Sequence, residues 1–129
     1  MADSFAASVK NWAEKTEVEQ TAVLHQSLRL LDDEVAASTP FKTGNLRNSR
    51  AVSTLARPAI EWKTKKFRDP SDAINNAIAG VEIGQTVYLG FRAPYAYKVE
   101  KAHAFLRLVA QRWKAITEEA ARIVAGRGT

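Results

Sequence analysis

Thr39-Pro40-Phe41-Lys42-Thr43-Gly44-Asn45-Leu46-Arg47-Asn48-Ser49 divides the chain into two kinds of structure. Proline lacks a backbone N–H and crowds the preceding turn, so a helix arriving from the N-terminal side stops before Pro40. Gly44 takes positive φ without a Cβ clash, which lets the chain reverse there. The residues after it carry side-chain donors and one apolar anchor, Leu46. By itself the stretch reads as an exposed turn with a basic rim.

Upstream, residues 3–38 read as one long helix, with no proline or glycine inside. Asp3 or Ser4 can cap its start by accepting backbone N–H bonds. Phe5, Val9, Trp12, Thr16, Val23 or Leu24, Leu28, Leu31 and Val35 recur at three- and four-residue steps and form an apolar stripe. At 1.5 Å per residue such a helix is about 50 Å long, more than a small domain needs. Residues 14–21 are nearly all polar, so a break or a solvent-bridging section is expected there. Phe5 and Trp12 near the tip point to contact with a neighbouring subunit.

Downstream, residues 50–66 read as two strands. Val52, Thr54 and Ala56 alternate with their neighbours, Pro58 interrupts, and Ile60, Trp62 and Thr64 then share a face. Arg68-Asp69-Pro70-Ser71-Asp72 forms a turn into a short helix through Ile74, Ala77 and Ile78, with Gly80 as its stop. Val81-Glu82-Ile83, a turn at Gly84-Gln85, and residues 86–91 suggest more strand. A final amphipathic helix is expected over residues 102–125, followed by a frayed tail at 126–129. The expected class is α+β: a long N-terminal helix, a small antiparallel sheet with a short inserted helix, and a C-terminal helix packed on the sheet.

A length of 129 residues suits one domain, with residues 39–125 as its core and part of the 3–38 helix projecting. No apolar run approaches the ~20 residues that span a bilayer, and residues 1–5 show no secretory pattern. With no cysteine, disulfides, thiolate nucleophiles and cysteine-based zinc sites are excluded together. His25 and His103 fall on different helices, and Asp32-Asp33-Glu34 fan around a helix axis rather than converging on a ligand. No catalytic, metal-binding or cofactor-binding residue is nominated, and an enzyme is not expected.

The net charge of +5 favours an acidic partner, whether nucleic acid or protein. Lys63, Lys65, Lys66 and Arg68 form the densest basic cluster and are the candidate DNA-facing residues. Trp62 and Phe67 lie among them as candidates for base stacking, but Trp62 is expected to pack against the helices. The aromatic group Tyr88, Phe91, Tyr95 and Tyr97 leaves core, hinge and interface roles open.

Three pieces together resemble one family. Pro40-Phe41-Lys42-Thr43-Gly44-Asn45-Leu46-Arg47-Asn48-Ser49 is similar to the P-x-(D/K)-T-G-x-L-(R/K)-x-S motif of tailed-bacteriophage tail-completion and head–tail joining proteins. Val87-Tyr88-Leu89-Gly90-Phe91, with Pro94-Tyr95-Ala96-Tyr97-Lys98-Val99-Glu100 behind it, resembles that family's strand and tyrosine-alanine segment. Phe105-Leu106 resembles the entry to its last helix. The chain departs from the pattern in Lys101-Ala102, where glycine is usual, and in lacking proline before Phe105. The resemblance implies a virion protein, assembled in the host cytoplasm, that forms a hexameric ring at the neck or tail top and continues the DNA channel. Its partners would be its own copies and neighbouring connector or tail proteins. Phe5, Trp12, Thr43, Gly44, Leu46, Arg47, Ser49, Tyr95, Tyr97 and Glu100 are then the candidate contact residues. The competing expectation is a small basic nucleic-acid-binding module.

Overall fold

The computed structural model describes the backbone of residues 2–40 and 44–127, and the side chains of those spans from Thr16 onward. The side chains of Asp3, Ser4, Phe5 and Trp12, and the whole of Thr43, therefore lie outside the described residues. Helix α1 covers Ala2–Ser38. It ends where the proline argument requires: Thr39, buried ahead of Pro40, turns both its N–H and its hydroxyl back onto the Val35 carbonyl, at 3.0 and 2.6 Å. The polar stretch does not break the helix, and residues 17–20 stand exposed on it.

Gly44 sits at φ 79°, and the short helix α2 (Asn45–Asn48) starts directly after it. Strand β1 (Arg50–Ser53) follows and pairs antiparallel with β2 (Tyr88–Phe91), Val52 opposite Leu89. Between them lies α3 (Ser71–Ala79), which ends at Gly80 in ordinary right-handed geometry. The glycine therefore stops the helix without a left-handed cap. Gly84 does adopt positive φ, 92°, in the turn expected there. The C-terminal part comprises α4 (Ala96–His103), α5 (Phe105–Ala110) and α6 (Trp113–Arg127). The architecture is α+β, with a long N-terminal helix, a two-stranded sheet and a C-terminal helix packed on it.

Three apolar clusters hold these pieces. Leu28 of α1 meets Ile74 and Ile78 of α3 and Val81, with Val52 and Val87 alongside. Further along α1, Val35 packs with Val109 and Ile116, and Leu89 and Phe91 close that cluster from the sheet. Leu46, Ala93 and Phe105 form the third, sharing Phe91 and Leu106 with the second. The Phe91 and Phe105 rings meet edge to face, 5.3 Å between centroids. Each fully buried Ile, Val or Phe contributes about 1.5–3 kcal/mol of transfer free energy. One face of α1 thus serves as a wall for two of the three clusters.

Four expectations need correction. Residues 60–64 are not a strand: Pro58 cannot donate to a ladder, and one backbone bond, Glu61 N–H to the Arg92 carbonyl at 2.8 Å, ties the segment to the sheet end. Pro58 instead lies over Gly90, where an added Cβ would come within 3.3 Å of its ring. Residues 81–83 are also not a strand. Val81 is buried, Ile83 is exposed, and the turn is closed by Gln85 N–H to the Glu82 carbonyl and Glu82 N–H to the Gln85 side chain. The single final helix is three helices, broken at Ala104 (φ 52°) and again before Trp113. Finally, the expected tail is shorter than drawn, because α6 continues to Arg127, whose guanidinium donates to Gln26 Oε1 at 3.0 Å.

Candidate assembly interface

The three motif segments, far apart in sequence, fold into one knot. Leu46 is buried against Ala93 and Phe105, so the turn, the tyrosine-alanine segment and the last-helix entry share one apolar cluster. Polar bonds reinforce it. Ser49 is buried and donates its hydroxyl to the Leu46 carbonyl at 2.7 Å, while its own carbonyl receives Arg92 N–H at 2.8 Å. Asn45 donates to the Tyr95 hydroxyl at 2.9 Å and accepts Phe67 N–H at 2.7 Å. Asn48 donates to the Phe67 carbonyl at 3.4 Å.

Glu100 has a local task that sequence reading missed. The left-handed Ala104 turns the chain so that α5 begins beside α4, leaving the first α5 amides without helical acceptors. The Glu100 carboxylate accepts two of them, Leu106 N–H at 2.8 Å and Arg107 N–H at 3.1 Å. Arg50 is also occupied within the protomer. Its guanidinium pairs with Asp32 of α1, both side chains being buried, and its Nε donates to the Arg47 carbonyl at 2.8 Å. Nothing in the spacing of Asp32 and Arg50 signalled that pair, because α1 must first run past the sheet to bring them together.

Leu46, Ser49 and Glu100 are thus engaged inside the chain, and Gly44 serves the backbone reversal. For Leu46 and Ser49 a surface-docking role is corrected, since both are buried. Tyr95 and Tyr97 are exposed, the second strongly, so their outer faces are free of the core. His25 is a structural tie: Nε2 donates to the Val81 carbonyl at 2.7 Å.

A second region has the opposite character. Residues 54–68 leave the sheet as an irregular loop in which Leu55 is 92 % and Trp62 77 % exposed, with Ile60 half exposed. The expectation that Trp62 packs against the helices is overturned. Lys63, Lys65, Lys66 and Arg68 are all exposed around it. Arg92 pairs with Glu61, anchoring the loop base to the end of β2.

Two carboxylates titrate away from their ordinary range. Burial, and then the neighbouring Asp32 charge, push Asp33 up, with Arg50 pulling the other way. Hydrogen bonds from the Ser71 hydroxyl and N–H hold Asp69 down at the start of α3. A cleft of about 320 Å³ between α1 and the sheet is walled by Leu24, Leu28, Leu31, Val52, Val87, Leu89 and Trp113, with Gln85 at its edge. It lacks the converging polar groups that would orient a reacting molecule. No family model, curated protein or solved structure matches this chain.

Proposed function

We propose that this chain is a structural protein of a tailed-phage virion, forming a ring at the head–tail junction that joins or caps the tail and continues the DNA channel. The observation that carries the reading is the knot. Stretches 40–49, 87–91 with 94–100, and 105–106 resemble three ordered family landmarks, and their described residues are drawn together through Leu46, Ala93, Phe91 and Phe105. The exposed apolar and basic loop supplies what a joining protein needs besides a fold, a large surface left open to a partner.

A second reading rests on a separate observation. Trp62 and four exposed cations share one loop, a combination that can stack bases and neutralise phosphates. A basic nucleic-acid module would use that loop directly. A joining ring would have it meet protein, with DNA passing the basic residues.

The deciding experiment removes this gene from the phage genome that encodes it and images the particles. The joining role predicts filled heads and finished tails that remain separate, and recovery of infectious particles when purified protein is added. Normal virions formed without the protein would reject it.

A further inference from the structure

Charge is segregated along this chain. Of 19 Lys and Arg, 16 lie after residue 38, whereas the 14 Asp and Glu divide equally, so the first 38 residues carry −4 and the remainder +9. Inside the protomer part of that attraction is already satisfied, since Asp32 pairs with Arg50 and Glu34 with Arg112. Two charged segments face outward. Residues 54–68 hold five Lys and Arg against one acid, Glu61, and Glu61 is engaged by Arg92. On α1, Glu17 is exposed and Val18 beside it is 68 % exposed.

We propose that the loop of residues 54–68 in one copy docks on the exposed acidic turn of α1, residues 17–20, in a second copy of this chain. The proposal deepens the ring reading above and rests on it. Both surfaces join an apolar element to charge, and the charges are opposite. Leu55 and Trp62 meet the aliphatic Val18, while Lys63, Lys65 and Lys66 meet Glu17. Opposed charges fix orientation and speed encounter, and the apolar contact supplies the burial that persists in salt. Nucleic acid would reward the lysines and Trp62 but leaves Leu55 and Ile60 without a matching surface. Because the two patches are different parts of the same molecule, the contact is heterologous and repeats head to tail. Such a contact closes into a ring when the rotation per copy permits.

The absence of cysteine makes the test clean. Gln20→Cys and Thr64→Cys each introduce a single exposed thiol and leave Glu17, Val18, Trp62 and the lysines intact. The two full-length variants are mixed in equal amounts and treated with a short bis-maleimide. The expected result is several-fold more cross-linked dimer from the mixture than from either variant alone. Lys63→Glu, Lys65→Glu and Lys66→Glu together should return the yield to the single-variant level, as should roughly 1 M salt to a lesser degree. An assembled mass with no excess cross-link in the mixture overturns this interface and leaves the ring reading standing. A monomeric mass at every concentration overturns the interface and self-assembly together. If that monomer binds duplex DNA with a steep salt dependence, the loop belongs to nucleic acid instead.

Discussion

The knot around Leu46 and the loop around Trp62 lie close together in sequence and differ in almost every physical respect. In the knot, a turn with a glycine reversal and polar side chains is drawn inward: Leu46 and Ser49 are buried, and Asn45 bridges to Phe67 and Tyr95. In the loop, an apolar sequence with good strand alternation is left outside, with Leu55 and Trp62 almost bare. Hydrophobicity and exposure have traded places relative to the naive expectation. The glycine turn and the residues after it are built into the fold, and the run of apolar and basic residues that follows is left as exposed surface.

The sharpest way to break this comparison is Arg50→Ala. It leaves Asp32 buried beside no cation, and losing one partner of a buried pair costs about 3–5 kcal/mol. The denaturation midpoint should fall accordingly, whereas Trp62→Ala in the loop should leave it within about 0.5 kcal/mol. Equal losses at the two positions would erase the distinction. Next comes Leu46→Ala, for which a cavity between Ala93 and Phe105 predicts a loss of about 2–5 kcal/mol by the same measurement.

A smaller pair probes the break at Ala104. Glu100→Ala removes the acceptor for the first α5 amides and should cost about 1 kcal/mol, in the range of a lost helix cap. Ala104→Gly should stabilise by about 1 kcal/mol, since a Cβ in the left-handed region is penalised and glycine has none. Opposite signs from neighbouring substitutions are a demanding expectation for thermal melts.

The smallest effects are in pH. Asp33 has a raised folded value, so its ionised form is disfavoured by folding: the penalty is present at neutral pH and is relieved as pH falls through that value. Asp33→Asn should therefore melt slightly higher than the parent at pH 7 and equal to it below about pH 3.9, where the unfolded carboxyl is also protonated. Asp69 runs the other way. Its folded value is depressed, so its contribution is present above the unfolded value and is lost as pH falls through the folded one. Asp69→Asn should lower the neutral plateau slightly and flatten the acid limb, the two proteins converging once pH falls below the folded value.

Local rules gave much of the fold. The stop before Pro40, the reversal at Gly44, the α3 helix with its end at Gly80 and the Gly84 turn each depend on a few adjacent residues, and each appears in place. What failed depended on distant partners. The alternation of Ile60, Trp62 and Thr64 fits a strand, yet a strand needs a neighbour to bond, and among the described residues the segment makes one backbone bond to the sheet end, at Arg92, beside the Glu61–Arg92 side-chain pair. The break at Ala104 is hidden because an alanine normally favours helix, and only Glu100 reaching the α5 amides makes the turn affordable. Among the candidate contacts, sequence could mark the residues around Gly44 as special without revealing that Leu46 and Ser49 face inward. Exposure of Tyr95 and Tyr97 followed from the structure and not from their spacing.

Most direct is the sedimentation mass of the full chain beside Trp62→Ala. If the motif knot folds the protomer and the loop joins copies, the parent sediments as a closed multiple of 14.2 kDa and the variant as a folded monomer. The same oligomer in both samples would contradict the account.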